Sequence, residues 1–181
     1  MIKIRNIGKE WKKVGENSLF AAPRTASTAL FNAILEKYYP LENQEKIKNN
    51  DQPHKYVPAG NEPIGKAHVF MREPVDRFKS ICARLGLTAE EGIFKASEVS
   101  DIHFAPVVSF LQGHLNDDFK FYKFPDDVNL LAQDLGLDTP IEQENASLES
   151  QKITLTPEEE NTVKEIYKQD IEFFNKHTHN T

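Results

Sequence analysis

Apolar positions divide this chain into short strand-like runs and longer stripes at helical spacing. Ser18 to Ala22 (SLFAA) is a brief apolar run followed by Pro23, the pattern of a buried strand. From Thr28 to Tyr39, the positions Leu30, Phe31, Ile34, Leu35 and Tyr38 predict a helix that Pro40 stops. Residues from Leu41 to Pro63 are polar and punctuated by proline, so a loop or excursion is expected there. Ala67 to Met71 (AHVFM) predicts a second strand, and Pro74 then opens a helix whose stripe is Val75, Phe78, Cys82 and Leu85.

Thr88 with Glu91 forms a capping box for a short helix, and a further helix is expected from His103 to Leu115. Phe119 to Phe124 (FKFYKF) alternates apolar and basic residues, as a strand with one open face does. Val128 to Leu135 reads as a helix ended by Gly136. Thr156-Pro157-Glu158-Glu159 is a second capping box, opening a helix with Val163, Ile166, Tyr167 and Phe174 inside. Asp170 falls on that inner face, where a buried carboxylate requires a partner. Strands alternating with helices predict an α/β layer fold with a mainly parallel sheet.

The length of 181 residues fits a single domain with a polar tail from about residue 175, long enough to bury a core without a metal or disulfide staple. Cys82, the one cysteine, excludes an intramolecular disulfide and a cysteine-rich zinc site. Lys3, Arg5, Lys9, Lys12 and Lys13 interrupt any apolar leader, and no window reaches the roughly 18 apolar residues of a membrane span. A soluble, cytoplasmic protein without a membrane partner is expected. The net charge of -6 argues against a nucleic-acid partner. An anionic ligand would have to be held by local positive groups.

Such groups occur at two places. Arg24, Thr25, Ala26, Ser27 and Thr28 join the first strand to the first helix. A helix start offers unpaired N–H groups and a positive dipole end, small residues admit phosphate oxygens, and Arg24 adds a full charge. The same Ser and Thr residues also serve as a purely local helix cap, so both readings stand on this segment alone. No GxxxxGK loop is present, which counts against a nucleoside triphosphate. The second place is Arg72-Glu73-Pro74-Val75-Asp76-Arg77-Phe78-Lys79-Ser80, after the second strand. There Ser80 is expected to point away from the helix stripe.

Together the two segments resemble the cofactor motifs of sulfotransferases that use 3′-phosphoadenosine 5′-phosphosulfate (PAPS). Pro23 to Leu30 looks like the family's 5′-phosphosulfate loop, with Ala26 where the family usually has glycine. Arg72 and Ser80, eight positions apart, look like its 3′-phosphate motif. His103-Phe104-Ala105-Pro106, Phe121 to Leu137, Asn145-Ala146-Ser147 and Tyr167-Lys168-Gln169-Asp170 resemble later segments of the carbohydrate sulfotransferase branch. The resemblance runs from about Ser18 to Phe174 and is most specific in the first two motifs. It implies a P-loop-NTPase-like three-layer fold, a small, mainly parallel sheet flanked by helices, PAPS as donor and PAP (adenosine 3′,5′-bisphosphate) as product.

On that resemblance Arg24 would neutralise charge growing on the sulfuryl group. Thr25, Ala26, Ser27 and Thr28 would hold the 5′-phosphate, and Arg72 and Ser80 would select the 3′-phosphate. The acceptor would be a hydroxyl of a sugar or small metabolite. A general base adds about 10²–10⁴-fold. His54 in the excursion is the first candidate, ahead of Glu62, and a surface histidine remains the alternative. A binding module without catalysis and a kinase on a related fold stay open beside the enzyme. No metal is expected, and the oligomeric state is left open.

Overall fold

A computed structural model describes residues 11–22, 28–98, 101–111, 113–114, 118–138, 140–142 and 153–178. The chain divides into two compact units, one built on a sheet (residues 8–71 and 118–144) and one helical (residues 1–7, 72–117 and 145–181).

In the sheet unit, strands β1 (Trp11–Val14) and β2 (Asn17–Ala21) form an antiparallel hairpin, with Lys12 opposite Leu19 and Val14 opposite Asn17. The two-residue connection holds Gly15 at φ +60, a conformation that glycine adopts without strain. Helices α1 (Thr28–Tyr38) and α2 (Pro40–Asn49), a 3-10 turn at Pro53–Lys55 and the two-residue strand β3 (Ala59–Gly60) lead to β4 (Ala67–Arg72). Strand β5 (Phe119–Phe124) and helix α6 (Val128–Asp134) complete the unit.

The sheet order is β3-β1-β2-β4-β5. Pairing is antiparallel for β1 with both β2 and β3, and parallel for β2 with β4. The sheet is therefore mixed, not mainly parallel as alternation predicted. The discrepancy comes from β1, where Lys12 and Lys13 between buried Trp11 and Val14 break the apolar signal of a strand. Leu30, Phe31, Ile34 and Leu35 of α1 are buried as their spacing predicted. Residues 41 to 63 do not form one loop. Pro40 starts α2 instead of only stopping α1, and no α2 residue is buried, so the helix has no apolar stripe to read. Lys46 Nζ donates to Asn32 Oδ1 at 2.8 Å, linking α2 to α1.

The helical unit contains α3 (Pro74–Leu85), α4 (Ala89–Glu98), a 3-10 turn at Ile102–Phe104, α5 (Val107–Phe110), α7 (Pro157–Ile166) and α8 (Lys168–Thr178). Phe78, Ile81, Cys82, Phe104, Val163 and Tyr167 form its core. Leu85, assigned to the α3 stripe from spacing, is 40% exposed, and the buried face turns toward Arg77, Ser80 and Ile81 instead. Both capping boxes are present: Glu91 N–H donates to Thr88 Oγ1 (3.2 Å) and Glu159 N–H to Thr156 Oγ1 (3.1 Å). The helix expected from His103 to Leu115 is instead two short turns, because Ala105 and Pro106 are extended (ψ 139 and 138). The terminal helix breaks at Tyr167, whose φ is -101. No helix among the described residues is long and apolar enough to cross a membrane.

Candidate functional site

A strand and a helix stand on either side of residues 24–27, as the apolar pattern predicted. Strand β2 ends at Ala21, buried Ala22 donates its N–H to Phe70 O (3.3 Å), and α1 begins at exposed Thr28. Arg24, Thr25, Ala26 and Ser27 lie outside the described residues. β2 and β4 are parallel, with Ala21 opposite Phe70, so their carboxyl ends lie at the same end of the sheet. Ligands of open α/β sheets bind at such carboxyl ends of strands.

Arg72, the last residue of β4, belongs with the helical unit. Its guanidinium is not on the surface: the side chain is 1% exposed, and Nε donates to Asp76 Oδ2 at 2.5 Å. Asp76 is 39% exposed, so one carboxylate carries the pair from the interior to water. Ser80 is fully buried and stands one turn beyond Asp76 on α3. Residues four apart share a helix face, so Asp76 and Ser80 lie on the same side of α3. Glu73 caps α3, accepting from Val75 N–H (3.1 Å) and Asp76 N–H (2.8 Å). Ser80, expected to point away from the helix stripe, is thus buried all the same.

Behind this turn lies a set of buried polar contacts that spacing alone did not predict. Arg77 is 1% exposed and donates through Nη2 to the carbonyls of His103 (2.8 Å) and Ala105 (3.0 Å). Tyr167 Oη donates to Phe104 O (2.7 Å), and Asp170 accepts from Val107 N–H (2.7 Å) and Val108 N–H (2.9 Å). Asp170 thus finds the partners that its position on an inner face demanded. Burial raises its pKa, a shift opposed by the two amides and by Arg77. Burial also lowers the pKa of Arg77. The three side chains fix residues 103 to 108, which include the His-x-x-Pro segment at 103 to 106. His103 itself faces outward with Nδ1 on Asp101 Oδ1 (2.7 Å).

No family model, curated protein or solved structure matches this chain. Its reading therefore rests on the residues themselves.

In the sheet unit, His54 sits in the 3-10 turn with its ring 6.3 Å from that of Phe31, edge-on. Burial lowers its pKa, with Lys12 and Lys55 adding to the effect. A lowered value leaves the ring neutral at pH 7, the form a base requires. Glu62 is exposed. His68 belongs instead to a buried relay: Nδ1 lies 2.9 Å from Tyr122 Oη, and Tyr122 donates to Asp134 Oδ2 (2.6 Å), where Lys120 Nζ also donates (2.6 Å). The Lys120 and Tyr122 hydrogen bonds hold the Asp134 pKa down, so it stays a carboxylate and accepts the hydrogen bond that the Tyr122 hydroxyl donates. Neutral His68 then carries its hydrogen on Nδ1. Lys120 is thereby part of a network and not only a solvated residue. Among the described residues no cluster of His, Cys, Asp and Glu forms a metal site.

Proposed function

We propose that this chain binds a 3′,5′-bisphosphorylated adenosine nucleotide and transfers a sulfuryl group from PAPS to a hydroxyl acceptor on a sugar or small metabolite. The observation that carries the reading is at Arg72 and Ser80: the guanidinium is buried and paired with Asp76 of α3, and the Ser80 hydroxyl on the same helix is buried too. Arg72 Nε already meets Asp76, and a terminal phosphate is the further anion that the resemblance implies for this guanidinium.

On this reading the fold is a P-loop-NTPase-like variant with an antiparallel hairpin at one side of the sheet. Arg24 neutralises the sulfuryl oxygens, Thr25, Ala26, Ser27 and Thr28 hold the 5′-phosphate, and Arg72 with Ser80 reads the 3′-phosphate. Positioning and charge neutralisation supply most of the acceleration, by analogy with phosphoryl transfer. His54, neutral at pH 7, is the base. A binding-only module is the second reading, favoured by the packing of the His54 ring against Phe31.

Thermal unfolding with PAP, followed by transfer of radiolabelled sulfate from PAPS to an acceptor panel, tests both. PAP at 100 times its Kd stabilises by about 2.7 kcal/mol. No shift at millimolar PAP refutes nucleotide binding. A shift without transfer to any acceptor favours the module, and transfer that His54→Ala abolishes favours the enzyme.

A further inference from the structure

Arg72 has an internal anion already. Its guanidinium is 1% exposed and its Nε is held by Asp76, which reaches water at 39% exposure. Ser80 lies one turn further along the same face of α3 and is also buried. A phosphate that takes Arg72 through Nε therefore competes with the Asp76 carboxylate for the same donor. Two anions of that charge do not share one guanidinium edge cheaply, because like charges in a partly buried site repel strongly.

From this geometry we infer that Asp76 is an autoinhibitory stand-in for the 3′-phosphate. It neutralises Arg72 in the free protein and swings out to water when the nucleotide binds. The inference rests on the proposed nucleotide reading and deepens it. Asp76 supplies the counter-charge that keeps a buried arginine tolerable without ligand. It also sets a threshold: a weak anion does not displace it, whereas a phosphate monoester, carrying up to two charges and three acceptor oxygens, does. Mononucleotides lacking the 3′-phosphate gain nothing at Arg72 and leave the Arg72–Asp76 pair intact. Asp76 thus sharpens selection for the 3′-phosphorylated cofactor at the expense of absolute affinity.

The test is titration calorimetry of the full chain and Asp76→Asn with PAP and with adenosine 5′-monophosphate. Asparagine keeps an oxygen to accept from Arg72 Nε while removing the charge. PAP should bind Asp76→Asn about tenfold more tightly than the unaltered chain, the equivalent of about 1.4 kcal/mol. Binding of the 5′-monophosphate should not change. A purely structural role would shift both nucleotides together or weaken both. Should Asp76→Asn fail to fold, a PAP-soaked crystal of the unaltered chain decides instead. The 3′-phosphate on Arg72 with the Asp76 contact broken supports the inference, and that phosphate beside an intact Arg72–Asp76 pair overturns it. PAP binding that depends on Arg72 yet is equal or weaker in Asp76→Asn overturns the inference alone. Absence of PAP binding in both proteins overturns the nucleotide reading and the inference with it.

Discussion

Asp170→Ala is the most informative perturbation of the scaffold behind Arg72. The carboxylate is fully buried and accepts two backbone N–H groups, from Val107 at 2.7 Å and Val108 at 2.9 Å. Alanine strands both amides in the interior, and each buried unsatisfied donor costs about 1–3 kcal/mol. It also removes the carboxylate that interacts electrostatically with buried Arg77. That loss adds to the cost of the stranded amides, and the two overlap because they share one side chain. A destabilisation of about 4 kcal/mol is expected. With a urea slope of about 2 kcal/mol/M, the unfolding midpoint seen by circular dichroism at 222 nm should fall by about 2 M. Pairing it with Arg77→Met in a double-mutant cycle should give a coupling of about 1 kcal/mol or more. A loss below about 1 kcal/mol for Asp170→Ala would refute the reasoning, since the amides would then be satisfied without it.

Three other expectations follow from single positions. Gly65 has φ +57, and a Cβ there would run into the Glu16 carbonyl oxygen, so Gly65→Ala should cost about 3 kcal/mol in chemical denaturation; a near-neutral result would mean that the hairpin turn is placed differently. The Cys82 thiol is buried and its pKa is pushed up to about 12, so it should resist a thiol reagent at pH 8 until the chain unfolds, and rapid labelling of the native protein would contradict its core position. Burial lowers the His68 pKa below its ordinary 6.5, as it does for His54 and His177, so the unfolded chain binds more protons just below that pH. Stability is then fully present above pH 6.5 and declines as pH falls toward the depressed values. His68→Gln should flatten that slope by up to about 1.4 kcal/mol per pH unit, and an unchanged slope would remove His68 from the account.

What the sequence made legible is whatever local chemistry dictates. Thr156 and Glu159 close a capping box by themselves, and Phe119 to Phe124 form the strand that their alternation predicted. The stop after α6 is equally local, with Gly136 at φ +75. Elements governed by non-local partners were hidden. β1 is a strand because it pairs with β2 and β3, although two of its four residues are lysines. α2 rests on helix-forming Glu, Gln and Lys residues and on its contacts with α1, without an apolar stripe. At the candidate site, the motif spacing singled out Arg72 and Ser80 but gave no hint that both are buried. Asp76 was detectable in principle as an acid four residues after Arg72, whereas Arg77, which grips carbonyls 26 and 28 residues away, had no local signature.

The central claim, that Arg72 and Ser80 read a 3′-phosphate, is tested most directly by comparing PAP with adenosine 5′-monophosphate in titration calorimetry of the unaltered chain and Arg72→Ala. A charge-assisted phosphate contact of about 1.5–3 kcal/mol predicts PAP binding some ten- to a hundredfold tighter, with the difference erased in Arg72→Ala. Equal affinity for the two nucleotides in the unaltered chain, or a preference for PAP that survives loss of Arg72, would contradict it.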